Sequence, residues 1–401
     1  VTNRQVFPEQ NLFTTSAYTN ITFRSRHTIE ENCPFVILVW ANKCYPETAT
    51  GNAVTYKASF DYVPAGTGSL NSIPVNAVTL NGGQASVTVP YGKFVQSDPI
   101  FGPFKKGDTI LVRTYVSVAS AGLKWPIGMT LNWGWEGTYT GDATASPNFS
   151  TAFTSAGPGV SPCAILGPCS NRPSVALIGD SIQDGAGDSG AGPYANLGAM
   201  SRALEGIYGT IKTGSPGDRV ASVLAFGTYS GRGMVTSQCR NIVCNYGTND
   251  LGNGDSLSTI QANLIAFWSL WPGKFVFQQT IDPRTTSTDT WMTTANQTQQ
   301  SFESVRQALN TWLRAGAPMV SGAAVAVGTA GAITAGNPAH PLVGIQDTAA
   351  AIEVNASNVL TLNGGYWMVN GTANWPTSDG THNSINTSLL KAAVVNTGVF
   401  R

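Results

Sequence analysis

The stretch Ser174-Val175-Ala176-Leu177-Ile178-Gly179-Asp180-Ser181 constrains this chain more than any other. A short apolar run closed by Gly-Asp-Ser reads as a parallel strand buried on both faces, since a strand wet on one side would alternate polar and apolar residues. Such a strand requires crossover connections to its neighbours and helices over both faces of its sheet. A serine at its C-terminal end stands where open α/β sheets bind ligands.

The rhythm after Pro173 agrees with that demand. Short strands are predicted at 207–213, 241–246, 274–281 and 342–345. Helices are predicted from Asp218 and over 256–270, where Ile260, Leu264, Phe267 and Trp268 share one face. Phe302, Val305, Leu309 and Trp312 mark another, which Gly316 can terminate. The last spans 384–395 with Ile385 and Leu389 turned inward. The expected fold is α/β, with a five-stranded parallel sheet flanked by helices.

Residues 1–150 follow a different pattern. Val54, Tyr56, Ala58, Phe60 and Tyr62 alternate with Thr55, Lys57, Ser59 and Asp61, the period of a half-buried strand. Further strands are expected at 34–40, 85–89 and 109–118, and helical periodicity is nearly absent. An all-β sandwich or jelly roll is expected over 1–150, a linker rich in Ser, Pro and Gly over 151–173, and a catalytic domain over 174–401. The 401 residues suit two domains.

Charge narrows the function. Only 11% of residues are charged, and 22 basic balance 22 acidic ones, so the electrostatic footprint of a nucleic-acid binder is missing. The apolar stretch 320–335 is too short and too rich in Gly, Ala and Thr for a membrane span. No signal peptide is visible, and Val1 reads as a processed or trimmed start. The cysteines fall as three close pairs, Cys33/Cys44, Cys163/Cys169 and Cys239/Cys244; local bridges would imply an oxidising, extracellular compartment. Ligand spacing for a metal is lacking, as is a glycine fingerprint for a nucleotide, so neither metal nor cofactor is expected.

Three patches follow Ser181 along the chain: Gly214-Ser215-Pro216-Gly217-Asp218, Gly247-Thr248-Asn249-Asp250 and Asp379-Gly380-Thr381-His382. A serine hydroxyl needs a base within hydrogen-bond reach. Of the three histidines only His382 has a carboxylate, Asp379, three residues earlier; His340 has Asn337 there, and His27 lies in the β region. Ser189 repeats the Gly-Asp-Ser triplet, but it follows Gly185-Ala186-Gly187 rather than a strand. Neither serine sits in a Gly-X-Ser-X-Gly elbow, which argues against the ordinary α/β-hydrolase arrangement.

Together the four patches resemble the SGNH (GDSL-type) hydrolase family, over 174–401. The resemblance implies a serine esterase with Ser181 as nucleophile, His382 as base and Asp379 as its support. It also implies an oxyanion hole made by the Ser181 and Gly217 N–H groups and the Asn249 amide, with Gly214 an alternative to Gly217. Trp375 and Tyr194 are candidates for the pocket wall. Trp125, Trp133, Trp135 and Tyr139 form either a sugar platform or ordinary core, and the platform reading favours O-acetyl groups on a polysaccharide as substrate. A lipase or arylesterase, or a glycan-binding protein with an inert hydrolase domain, are the alternatives.

Overall fold

The computed structural model describes residues 1–8, 10–14, 18–46, 49–67, 75–130, 134–146, 158–168, 172–189 and 197–401. Trp133, Cys169 and Tyr194 lie outside these residues. The chain divides into two compact units. One holds Val1–Ser174 with Glu205–Thr213 and Ser230–Gln238; the other holds Val175–Leu204, Gly214–Tyr229 and Cys239–Arg401.

The described residues of the first unit up to Ser174 form strands and no helix. Asn20–Thr28, Thr109–Ser117 and Val54–Val63 lie side by side, antiparallel in full register, and form the centre of one sheet. Cys33–Asn42 centres another, between Ala164–Leu166 and Lys93–Gln96. Their apolar residues share one core, with Val36, Leu38 and Trp40 from the second sheet and Tyr56, Phe60 and Val112 from the first. The Trp40 indole donates to Thr114 Oγ1 at 2.9 Å.

The alternation expected along Val54–Val63 holds through Ala58 and then breaks, because Ser59 and Asp61 are buried as well. Asp61 there meets Arg113 at 2.9 Å, with both side chains fully enclosed. Trp125 is core, fully buried, whereas Trp135 stays partly exposed with the Arg26 guanidinium 4.5 Å from its ring centre.

The second unit is α/β. Val175–Ile178, Asn241–Cys244, Phe275–Gln279 and Gly344–Gln346 lie in that order, all parallel. The expected strand at 207–213 forms as Thr210–Lys212, but it groups with the first unit and pairs in parallel with Gln5–Val6. All five expected strands therefore form, four of them assigned to the second unit. Leu257–Ser269 buries Ile260, Leu264, Phe267 and Trp268, and Glu303–Arg314 buries Leu309 and Trp312. No helix among the described residues is long and apolar enough to cross a membrane.

Two helix expectations are corrected. The helix expected from Asp218 begins at Val220, with Arg219 as its N-cap, because Ser215–Asp218 closes a turn first. The final helix, Ile385–Val394, leaves Leu389 half exposed and buries Thr387, Ser388 and Lys391 instead. Its inward face is polar because buried acceptors wait there. Thr387 donates to the Pro376 carbonyl at 2.8 Å, and Lys391 Nζ lies 2.5 Å from Asp282 Oδ2.

The two cysteine pairs that lie wholly among the described residues do not bridge. Among the described residues there is no disulfide. Cys33 opens a ten-residue strand and Cys44 lies beyond its end, so they stand ~30 Å apart, against the ~6 Å between α-carbons that a bridge needs. Extended chain likewise separates Cys239 from Cys244, which ends the strand Asn241–Cys244 and donates to Gln278 Oε1 at 2.6 Å. Burial pushes the Cys163 thiol up to about 12. The inference of an oxidising compartment loses its support from the Cys33/Cys44 and Cys239/Cys244 pairs.

Candidate active site

Val175–Ile178 is fully buried and delivers the chain to Gly179, where no side chain would fit: a Cβ would lie 1.6 Å from Asn245 Oδ1. Asn245 and Asp180 bond each other twice, through Asn245 Nδ2 to Asp180 Oδ1 at 2.8 Å and Asp180 N–H to Asn245 Oδ1 at 3.2 Å. Asp180 also caps the short helix Ser181–Asp184 by accepting from the Ile182 N–H. Ser181 is thus the first residue of a helix whose N-cap is anchored to the neighbouring strand's end. Burial raises the Asp180 carboxyl to about 6, with the Asn245 and Ile182 bonds opposing that rise.

His382 meets Ser181. Its Nε2 lies 2.7 Å from Ser181 Oγ, and its Nδ1 lies 2.6 Å from Asp379 Oδ2. The other Asp379 oxygen accepts the Thr381 and His382 N–H groups at 2.9 Å each. Partial burial works against the Asp379 charge, yet the His382 and backbone bonds leave its pKa below the usual value. A carboxylate held in this way fixes Nδ1–H and turns Nε2 toward the serine.

The loop that carries these residues is tightly seated. Gly380 has φ +78°, and a Cβ there would come within 1.8 Å of the Thr285 carbonyl. Trp367 Nε1 and the Thr285 N–H both donate to the Gly380 carbonyl at 3.2 Å. Asn383 donates to Asp282 Oδ2 at 2.8 Å, the same oxygen that Lys391 holds.

The other two histidines are engaged elsewhere. His340 bonds the Ala317 carbonyl and the Leu342 N–H. His27 touches Ser25 Oγ at 2.8 Å but is fully buried, and that burial lowers its pKa to about 3. In the second Gly-Asp-Ser triplet, Asp188 clamps Arg202 and the Gly198 N–H, and Ser189 offers its carbonyl to Arg202. Gly187 of that triplet has a role the sequence did not disclose. It has φ +83°, and a Cβ on it would sit 2.8 Å from His382 Cβ, so glycine there leaves room for the His382 loop.

Of the remaining candidates, only Gly214 packs directly against the turn that carries Ser181. Gly217 sits at φ +77° in the turn Ser215–Asp218, exposed, and a Cβ built on it would meet nothing within 4 Å. Its N–H therefore belongs to a turn, two residues before the Arg219 N-cap of the helix. Gly214 packs 3.1 Å from the Asp180 carbonyl, and Ser215 N–H donates to the Gly179 carbonyl at 2.9 Å, tying the loop to the nucleophile turn. Asn249 lies in the short helix Thr248–Gly252, beyond the strand Asn241–Cys244, and donates through Nδ2 to the Asp218 carbonyl at 3.0 Å. Tyr246 hydroxyl holds Asp218 Oδ2 at 2.7 Å. An amide has two N–H donors, so one remains after the Asp218 bond. Trp375 is half buried, and its carbonyl accepts from Ser384 and Asn386 at the start of the final helix.

Asp250 sets a pH dependence. Burial, then the Asp255 charge, raises its pKa to about 7. Between roughly pH 4 and that value the folded chain binds a proton that the unfolded chain has lost, so stability falls as pH rises through the window. Asp250→Asn is therefore expected to raise the melting temperature relative to the parent at pH 8 and to change it little at pH 4. Thermal unfolding of both proteins at the two pH values checks this, and an equal difference at both would contradict it.

No protein-family model matches the chain, and no curated protein does. Solved structures do. A GDSL-like lipase from Bacteroides thetaiotaomicron is 14% identical, covering 55% of this chain and 85% of its own, with a TM-score of 0.33. A member of the lipolytic protein G-D-S-L family from Veillonella parvula is 15% identical, covering 55% and 94%, with a TM-score of 0.33. A catalytic mutant of an acetylxylan esterase from Geobacillus stearothermophilus is 15% identical, covering 55% and 91%, with a TM-score of 0.31. At such scores any activity has to be read from the site's own atoms. Over a little more than half its length this chain is similar to solved GDSL-type lipolytic proteins and to an acetylxylan esterase.

Proposed function

We propose that this chain is a serine-dependent carboxylic ester hydrolase of the SGNH type, working by two-step acyl transfer. The observation that carries the reading is the unbroken line Asp379–His382–Ser181, with contacts of 2.6 and 2.7 Å. Ser181 Oγ attacks the ester carbonyl as His382 Nε2 takes its proton, and Asp379 supports the resulting imidazolium. His382 returns the proton to the departing alcohol. Water, with His382 again as base, then releases the acyl group. The Ser181 and Gly217 N–H groups and the free Asn249 N–H stabilise the oxyanion.

The substrate we favour is an O-acetyl group on a carbohydrate, with a small or lipid ester as the alternative. The first unit is proposed to be a β-sandwich accessory module that engages the polymer. Trp135 and Tyr139, both partly exposed, are its candidate contacts among the described residues, since Trp125 is core. Trp375 and Tyr194 remain candidates for the pocket wall. An extracellular location would suit a polysaccharide substrate. Acetate release from a panel of acetylated polysaccharides tests the substrate, and turnover confined to small aryl esters would remove the carbohydrate reading.

Asn249→Ala is expected to lower kcat by roughly 10²–10³ with little change in KM, because its amide acts in the transition state. Steady-state kinetics on an acetyl ester read both constants. A rise in KM alone would make Asn249 a substrate-binding residue instead.

A further inference from the structure

Arg284 is a cation at the edge of this site to which the mechanism gives no role. Its Nη1 donates to the Thr248 carbonyl at 3.2 Å, one residue before Asn249. Gly252 leaves room for it, since a Cβ there would lie 2.8 Å from Nη1. Its guanidinium carbon is 5.5 Å from the centre of the Phe302 ring. Nε is buried and has no hydrogen-bond partner, although the side chain as a whole is only partly buried.

Three other cations of the second unit are already matched. Lys391 holds Asp282 at 2.5 Å, Arg202 holds Asp188 at 2.8 Å and Arg219 faces Asp255 at 3.8 Å. Among the described residues no carboxylate lies within ion-pair distance of Arg284. Burial lowers its pKa, while the charges of Asp180 and Asp379 oppose that. The guanidinium is thus in electrostatic reach of the residue before Ser181 and of the residue that holds His382. One carbonyl and one ring face leave donors of a planar, five-donor fork unused.

We propose that Arg284 forms a subsite for an anionic group on the ester substrate, a carboxylate, sulfate or phosphate carried beside the scissile ester. This rests on the esterase reading and narrows it to esters of acidic carriers, of which an O-acetylated uronic-acid glycan is the carbohydrate form. Guanidinium binds a flat or tetrahedral oxyanion through paired N–H bonds, and partial burial protects such a pair from solvent screening.

The test compares a matched pair of substrates, the methyl glycosides of O-acetylglucuronic acid and O-acetylglucose, with the full chain. The parent is expected to prefer the uronate in kcat/KM, and the preference should shrink as salt rises. Arg284→Gln should lower kcat/KM for the uronate by roughly 10–100-fold and leave the glucose ester within about 3-fold; Arg284→Lys should keep part of the preference. No preference in the parent, or equal loss on both esters in Arg284→Gln, would overturn the proposal and reduce Arg284 to a clamp on Thr248. Calorimetry with the methyl glucuronide and Ser181→Ala reads the subsite without turnover. Binding there, abolished by adding Arg284→Gln, supports it even if neither ester is hydrolysed, in which case the esterase reading fails alone. No binding to Ser181→Ala counts against the subsite whatever the turnover.

Discussion

Ser181→Ala abolishes ester hydrolysis, with a fall in turnover on the order of 10⁴–10⁶, and leaves thermal unfolding unchanged. The expectation follows from the position of the hydroxyl. Ser181 Oγ is the atom that His382 Nε2 faces at 2.7 Å, and no other described serine has a histidine that is itself held by a carboxylate. The helix it opens is capped by Asp180 rather than by Ser181, so removing the hydroxyl costs no cap. Ser189→Ala is the control. Its backbone carbonyl is what Arg202 uses, and the substitution keeps that carbonyl, so most activity should survive. Turnover of a chromogenic acetyl ester by the three proteins decides the matter. Equal loss in both variants would mean that Ser181 is not the nucleophile.

The second large effect is on stability. Lys391→Met should lower stability by about 3–5 kcal/mol, because it leaves the Asp282 charge buried without its counter-ion. Both side chains are only 2% exposed, so water cannot replace the lost partner. Activity should fall too, since Asp282 Oδ2 also receives the Asn383 amide, one residue beyond His382. The double variant Asp282→Asn/Lys391→Met removes the stranded charge and should recover much of the stability. Denaturant unfolding of the single and double variants reads this directly. A double variant no more stable than Lys391→Met would show that lost packing, not the unpaired charge, sets the cost.

That pair also marks where sequence reading stopped. Lys391 lies on a helix whose apolar residues, Ile385 and Leu389, were expected to face inward, and hydrophobic periodicity had no means of showing a buried acid waiting at Asp282. Helix orientation there is set by long-range electrostatic and hydrogen-bond partners, over a hundred residues away in the chain. The cysteines teach the same thing. Closeness in sequence suggested bridges, but an extended strand carries Cys33 and Cys44 apart at over 3 Å per residue.

By itself the sequence determined the local grammar of the site. An apolar strand ending in Gly-Asp-Ser, a Gly-Asp turn, a Gly-Thr-Asn-Asp block and an Asp-X-X-His loop are legible because each needs only neighbouring residues and their backbone preferences. Only the tertiary structure decided which of these meet. It seated Gly187 against His382, bonded Asn245 to Asp180, turned Asn249 onto the Asp218 carbonyl and left Arg284 without an acid. It also paired Thr210–Lys212 with Gln5–Val6, some two hundred residues away in the chain, because a strand's partner is set by register and burial across the fold and not by its own composition.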